Sequence, residues 1–118
     1  TICYDMRFPE LYRRLAEAGA ELFSVPSAFT VPTGQAHWHT LLRARAIENL
    51  AWVIAPAQVG EHPNGRRTFG HSLIINPWGE IVAERAGGPG VIFACLDRAD
   101  AAQRRRQFPA LEHRVLKG

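Results

Sequence analysis

Short apolar runs of strand length alternate along this chain with segments of helical periodicity. Residues 52–55 and 72–75 are predicted strands, because apolar residues dominate both and turn-forming residues follow them. Residues 35–50 are predicted to form a helix, as is the segment from Pro9, where apolar side chains recur at intervals of three and four. With 47% hydrophobic residues, 118 residues suffice for a core, and the alternation predicts an α/β layered structure.

Glycine and proline divide the remaining segments. Three more strands are predicted, over residues 20–25, 80–85 and 91–96. Two loops are predicted, over residues 27–34 and 60–70. The last predicted helix covers residues 97–108, with Asp97 as its N-cap.

The first ten residues have the pattern of a strand end, a sharp turn that carries a thiol, and a helix start at Pro9. A cysteine at such a turn is held out of the sheet, and backbone amides at a helix start can bind an oxyanion. Cys3 is therefore placed as a nucleophile would be. The alternative is an inert thiol packed in the core.

The second cysteine, Cys95, lies in the apolar run of residues 91–96 and is predicted to be buried as a small hydrophobe. Both cysteines are expected to be reduced, which fits a cytoplasmic protein. Because no apolar stretch approaches the ~18 residues that a membrane span needs, no membrane partner is expected.

The chain has 14 Lys plus Arg against 11 Asp plus Glu, and much of the basic excess lies at Arg104-Arg105-Arg106. Such a run could contact nucleic-acid phosphates or form a solvated helix face. Since no aromatic residues are interleaved for base stacking, we favour the solvated face and expect no nucleic-acid partner.

Motifs along nearly the whole chain match one known family in register. They include Cys3-Tyr4-Asp5-Met6-Arg7-Phe8-Pro9-Glu10, Pro26-Ser27-Ala28-Phe29, Gly34-Gln35-Ala36-His37-Trp38, Leu41-Leu42-Arg43-Ala44-Arg45-Ala46-Ile47-Glu48, Gly70-His71-Ser72 and Pro77-Trp78-Gly79. In these segments the chain resembles the nitrilase superfamily, the carbon-nitrogen hydrolases. The resemblance implies an α/β fold that is the C-terminal half of a four-layer α-β-β-α sandwich.

On this resemblance, residues 1–118 form a partial domain that is truncated at its N-terminus. The complete protein is expected to be a homo-oligomer. Half a sandwich leaves sheet edges and apolar faces uncovered, so this piece is expected to fold poorly alone.

The resemblance also implies amide hydrolysis with no cofactor. In the family a cysteine thiolate attacks the amide carbon, a glutamate is the general base, a lysine stabilises the oxyanion, and water cleaves the thioester. Cys3 matches the nucleophile, and the backbone amide of Tyr4 is the expected oxyanion donor. The glutamate and lysine precede the cysteine in the family, but only Thr1 and Ile2 precede it here. Because the sole lysine, Lys117, matches no family motif, this chain alone is expected to be inactive.

Arg7 lies in the same turn as the thiol, so its guanidinium can bind a substrate carboxylate in a bidentate pair. The alternative is a salt bridge to Asp5 or Glu10 that fixes the turn. In the amidase branch that acts on 2-oxo acid amides, residues matching Arg7, Phe29 and Thr33 line the substrate site, and this favours substrate binding.

Two branches of the superfamily share most of these motifs, the amidases of deaminated glutathione and the ω-amidases. The chain resembles the former more closely at residues 18–21, 26–29, 57–60 and 88–90. That activity splits a small amide substrate into 2-oxoglutarate and cysteinylglycine. The alternatives are an ω-amidase that acts on 2-oxo acid amides and a non-catalytic nitrilase-like module that serves association.

Several polar residues outside this set invite other chemistry. His37 and His39, together with His62 and His71, suggest a zinc site, but positions two apart on a helix face different sides, so the first pair cannot chelate and no metal site is expected. His39 also stands where the family usually has glutamate. His71 and Ser72 are expected to hydrogen-bond between strand ends, and Glu48 is expected to give structural support.

Overall fold

The computed structural model describes residues 1–117. Its helices are α1 (Pro9–Glu17), α2 (Val31–Thr33), α3 (His39–Asn49) and α4 (Arg98–Gln107), with a 3₁₀ turn at Cys3–Arg7 and a π-helical turn at Gly34–Trp38. Its strands are β1 (Leu22–Ser24), β2 (Trp52–Ala55), β3 (Val59–Glu61), β4 (Arg67–Phe69), β5 (Ser72–Ile75) and β6 (Ile81–Arg85). The predicted α/β class is confirmed, and β2 and β5 have the predicted bounds.

Four strands form the main sheet in the order β1-β2-β5-β6. Strands β1 and β2 are parallel, because the helical segment between them carries the chain back across the sheet. Strand β5 is antiparallel to both of its neighbours. The turn into β6 is fixed by Asn76, whose side-chain oxygen accepts hydrogen bonds from the backbone amides of Trp78 and Glu80.

Both faces of this sheet carry apolar side chains. Strand residues alternate between the two faces, and successive residues of β2 and β5 are largely apolar. On one face Val53 and Leu73 join the larger core with Tyr12, Trp38 and Leu42 from the helices. A smaller cluster on the other face contains Trp52, Ile74 and Ala101, with Ile92, Ala94 and Leu96 packed against it. A helix layer therefore covers one face closely, and residues 92–101 cover the other in part.

Helix α1 begins with Pro9 at its first position, as predicted, and Gly19 follows its end with φ +99°. Of the apolar side chains that recur along this helix, only Tyr12 is fully buried, whereas Leu11 is 36% exposed. Asp97 caps α4 as predicted, since its carboxylate accepts a hydrogen bond from the amide of Ala99. No helix within residues 1–117 combines the length and the apolar character that crossing a bilayer requires.

Two segments predicted to be loops are partly regular. Helical structure begins at Val31, because Pro32 has a fixed φ that suits the first turn of a helix. Residues 60–70 lie largely in a hairpin of β3 and β4, which pair in antiparallel register from Val59 to Phe69. Its turn contains Asn64 and Gly65, and Gly65 adopts φ +80°.

The predicted strand over residues 91–96 is not formed, since the segment belongs to neither sheet. Its side chains alternate, so Ile92, Ala94 and Leu96 pack on the smaller cluster while Val91 and Phe93 are 72% and 85% exposed. The same alternation exposes Cys95, so the prediction of a buried thiol there is wrong. Neither Cys3 nor Cys95 forms a disulfide within residues 1–117.

The arginine run is not simply a solvated helix face. The Arg105 guanidinium donates hydrogen bonds to the carbonyl oxygens of Ala20 and Asn49, and burial lowers the pKa of that guanidinium. Arg104 lies over the Trp78 ring, 4.9 Å from its centroid. Two of the three arginines thus attach α4 to the rest of the domain, and the prediction of a solvated face holds only for the exposed Arg106.

Stability at high pH is expected to depend on Tyr12. Burial raises the pKa of its phenol above the ordinary value of 10.0. The folded state therefore holds this proton more tightly than the unfolded chain, so the contribution of this phenol to stability is constant below the ordinary pKa of 10.0 and is lost as the pH rises through the raised pKa. Urea unfolding between pH 7 and about 11 should show this fall, and Tyr12→Phe should remove it.

The matched control is Tyr4→Phe, which removes a phenol that is 66% exposed. If the Tyr12→Phe variant loses stability above pH 10 as steeply as the native protein, the buried phenol is not its cause.

Candidate active site

A strained turn carries Cys3. Its φ of +45° places a non-glycine residue in the left-handed region, and its backbone amide donates to the carbonyl oxygen of Pro26 at 2.9 Å. The Ile2 amide donates to the Asp5 carboxylate at 2.8 Å, and the Asp5 amide donates back to the Ile2 carbonyl at 3.0 Å. These reciprocal bonds hold the 3₁₀ turn that follows the cysteine.

Arg45 supports this turn from helix α3. Its side chain is only 4% exposed, and its Nε donates to the carbonyl oxygen of Met6 at 2.9 Å. The same guanidinium pairs with Glu48 at 3.2 Å and lies 5.7 Å from the centroid of the Tyr12 ring. The expected structural role of Glu48 is confirmed. The sequence prediction missed the contact between Arg45 and the turn, although both lie in segments that resemble the nitrilase superfamily.

Cys3 borders an open cleft of about 620 Å³. The residue is neither buried nor fully exposed, so it is not an inert thiol sealed in the core. The cleft is lined by Ile2, Cys3, Pro26, Ser27, Ala28, Pro56, Ala57, Gln58, Ser72 and Gly90. Ser72 fixes part of this wall, since its hydroxyl oxygen accepts a hydrogen bond from the Ala57 amide at 2.8 Å. The predicted hydrogen bonding of Ser72 at a strand end is therefore observed.

Arg7 lies in a separate cluster beside the cleft. Its guanidinium carbon is 5.5 Å from the ring centroid of Tyr4 and 5.3 Å from that of Phe29. Its Nη1 lies 3.3 Å from Nδ1 of His37 and must donate there, because arginine has no acceptor atom. Asp5 instead caps the turn, so the alternative of an Arg7–Asp5 salt bridge is not what the structure shows.

The predicted site residues are thus only partly assembled. The structure brings Tyr4, Arg7 and Phe29 into contact one turn from Cys3. The Thr33 hydroxyl instead bonds to Thr30, with its oxygen 2.7 Å from that of the Thr30 hydroxyl. None of Arg7, Phe29 and Thr33 belongs to the described lining of the cleft beside the thiol.

A second polar cluster joins α3 to the sheet. Nε2 of His39 lies 2.8 Å from one carboxylate oxygen of Glu84, and Nδ1 of His71 lies 3.4 Å from the other. His37 is not part of this group, which agrees with the prediction that His37 and His39 face different sides. The sequence pattern had brought His39 and His71 together as candidates, but it missed Glu84, which lies 45 positions after His39 in another element.

The carbon-nitrogen hydrolase family model matches residues 1–106, which include the cysteine turn and every strand. This chain belongs to the carbon-nitrogen hydrolases. It is 53% identical over 115 residues to a deaminated glutathione amidase of Synechocystis sp.. That alignment covers 98% of this chain and 42% of the relative, so this carbon-nitrogen hydrolase chain spans less than half of the relative's length.

Solved structures of carbon-nitrogen hydrolases share the fold. The Caenorhabditis elegans NitFhit protein matches with a TM-score of 0.95 and 48% identity, over 98% of this chain and 28% of that one. A variant amidase of Nesterenkonia sp. AN1 matches with a TM-score of 0.73 and 34% identity, over 90% of this chain and 40% of that one. The amidase carries the acetamide moiety of fluoroacetamide on its active-site cysteine. The prediction that this chain is part of a larger nitrilase-like fold is confirmed.

Proposed function

We propose that this chain is the C-terminal part of an amidase that hydrolyses a linear amide through a thioester on Cys3. The position of Cys3 carries the proposal, since a strained residue at a turn borders an open cleft. The covalent adduct on the active-site cysteine of the Nesterenkonia amidase supports the same role for a cysteine in this fold. Domain bounds of 1–118, truncated at the N-terminus, are part of the proposal.

The chemistry begins with attack of the Cys3 sulfur on the amide carbon, which moves an electron pair onto the carbonyl oxygen. The backbone amide of Tyr4 donates a hydrogen bond to this oxyanion. Collapse breaks the C–N bond, and the nitrogen leaves as an amine after taking a proton from a general acid. Water then attacks the thioester, which releases a carboxylic acid and restores the thiol.

Two partners of Cys3 are proposed to come from residues outside this chain. The family's glutamate base and oxyanion-binding lysine precede the cysteine, and Lys117 lies far along the chain in an exposed position. Because catalytic groups that act as a unit lose most of their effect when one is removed, the chain alone should have essentially no amidase activity.

The proposed substrate is deaminated glutathione, the compound after which the amidase of Synechocystis sp. is named. Arg7 supports a substrate that carries a carboxylate, because Tyr4 and Phe29 hold its guanidinium beside the cysteine turn. Such a guanidinium can form two parallel hydrogen bonds with a planar carboxylate.

Exposed apolar side chains support burial against further protein. Val91, Phe93, Val115 and Leu116 are 72% to 90% exposed, which is costly for a surface that faces only water. We propose that the complete protein covers such residues with its remaining half and through homo-oligomer contacts. We also propose that the complete protein is cytoplasmic.

Replacing Arg7 tests the substrate assignment. In the complete protein, Arg7→Leu should raise KM for deaminated glutathione by about 10- to 100-fold, since a hydrogen bond to a charged group contributes about 1.5–3 kcal/mol. The measurement is steady-state release of 2-oxoglutarate, with Arg66→Leu as a control at an exposed arginine in the hairpin turn.

The same assay separates the alternatives. An unchanged KM in Arg7→Leu would remove the carboxylate clamp. Faster turnover of a small 2-oxo acid amide by the unmodified protein would indicate an ω-amidase. Absence of turnover with both amides would favour a non-catalytic association module.

A further inference from the structure

The cluster of His39, His71 and Glu84 lies outside the proposed catalytic machinery. One ligand-type atom from each residue lies within 4.8 Å of the other two. His39 begins α3, His71 lies between β4 and β5, and Glu84 lies in β6 opposite Leu73. Three elements that are distant in sequence thus direct two imidazoles and one carboxylate to a common point.

We propose that these three residues bind a divalent transition metal ion, with Zn²⁺ as the best-suited ion. Two imidazole nitrogens and one carboxylate oxygen are a donor set that Zn²⁺ accepts in tetrahedral geometry, with water as the fourth ligand. The side chains of His39, His71 and Glu84 are 33%, 25% and 29% exposed, so an ion and its water can enter from solvent.

The site is pre-organised by neighbouring aromatic side chains. The His71 ring stacks on the Phe69 ring with centroids 4.1 Å apart and an interplanar angle of 22°. The His39 ring meets the Phe69 ring edge to face, with centroids 6.0 Å apart. These contacts restrict both imidazoles, so less side-chain entropy is lost when an ion binds.

The backbone at His71 adds a further constraint. Its φ is +59°, in a region that non-glycine residues seldom adopt. The His71 carbonyl oxygen accepts a hydrogen bond from Nε1 of the buried Trp38 at 2.9 Å, which helps to hold this conformation. A strained residue whose side chain points to two ligand-type groups is a reason to infer a function.

A bound ion would connect α3 to β6 and to the connection before β5. Ser72 follows His71 directly and fixes the Ala57 side of the cleft beside Cys3. The metal would therefore stabilise the wall of the cleft without taking part in the attack on the substrate.

Zinc titration of the complete protein tests the proposal. Untagged Cys3→Ala protein, used so that this thiol cannot bind metal, is stripped with EDTA, dialysed and titrated with ZnCl₂ by calorimetry. We expect the Cys3→Ala parent protein to bind zinc saturably, with one site per chain that is absent from the His39→Gln variant. Loss of a group that merely hydrogen-bonds to a ligand weakens metal binding about 10- to 100-fold, so loss of a ligand should weaken it at least as much.

Three further variants complete the design. His71→Asn introduces a residue type that tolerates positive φ, and Glu84→Gln removes the charge but keeps the shape of the side chain. Both variants should also lose this zinc site. His113→Gln, at an exposed position near the C-terminus, should bind zinc like the parent protein. Thermal unfolding of each variant without metal identifies any that fail to fold. If His71→Asn fails to fold, the comparison between the parent protein and His39→Gln decides the test.

Two results would overturn the proposal. One is the absence of saturable binding in the parent protein. The other is equal affinity and stoichiometry in the parent protein and a folded His39→Gln variant, because the cluster would then be only a pair of histidine–carboxylate contacts.

Discussion

Replacing Cys3 by alanine in the complete protein is expected to abolish amide hydrolysis. Among the described residues that line the cleft, no other group offers a comparable nucleophile beside the strained turn, since Ser27 donates its hydroxyl hydrogen to the Val25 carbonyl and Ser72 is bonded to Ala57. Loss of a catalytic nucleophile that works with a base lowers kcat by roughly 10⁴-fold or more. The measurement is product release at saturating substrate.

The matched control is Cys95→Ala, which removes the exposed thiol and should leave kcat unchanged. Intact-mass measurement after rapid acid quench should detect an acyl group on the native protein and on Cys95→Ala, but not on Cys3→Ala. An acyl group on Cys3→Ala protein, or turnover near the native rate, would exclude the thioester mechanism.

The regular elements that sequence patterns located are those with strong local signals. Strands β2 and β5 are apolar runs bounded by turn residues, and Asp97 caps its helix through a contact two residues away. Residues 91–96 have an equally apolar pattern, but pairing in a sheet depends on a neighbouring strand that the local pattern cannot reveal. The hairpin of β3 and β4 was missed because its polar, exposed residues resemble a loop.

The candidate site divides in the same way. The turn at Cys3 was predictable, because a proline at the first helical position follows it closely. Arg45 reaches the carbonyl of Met6 across 39 positions of sequence, and His39 reaches Glu84 across 45. Contacts at such separations depend on tertiary packing, so the periodicity of α3 could indicate a buried Leu42 but neither the burial of Arg45 nor the partners of its polar residues.

Replacing Arg45 by alanine is expected to destabilise the protein by about 2–4 kcal/mol, because the Met6 carbonyl loses its donor and the cation–π contact with Tyr12 is lost. A turn displaced by about 1 Å should also lower kcat roughly 100-fold, since catalysis depends on the alignment of the thiol with the amide carbon. Urea unfolding and steady-state kinetics measure the two effects separately.

Arg45→Lys and Arg66→Ala distinguish positioning from general destabilisation. Lysine keeps the charge but lacks the planar fork, so it should recover part of the stability and little of the rate. Arg66 is exposed in the hairpin turn, and its replacement should change stability by no more than about 0.5 kcal/mol. A folded Arg45→Ala variant with native kcat would show that the bond to Met6 stabilises the fold without setting the position of Cys3. A reduced kcat at temperatures where the variant is fully folded would instead assign Arg45 a role in holding the nucleophile in place.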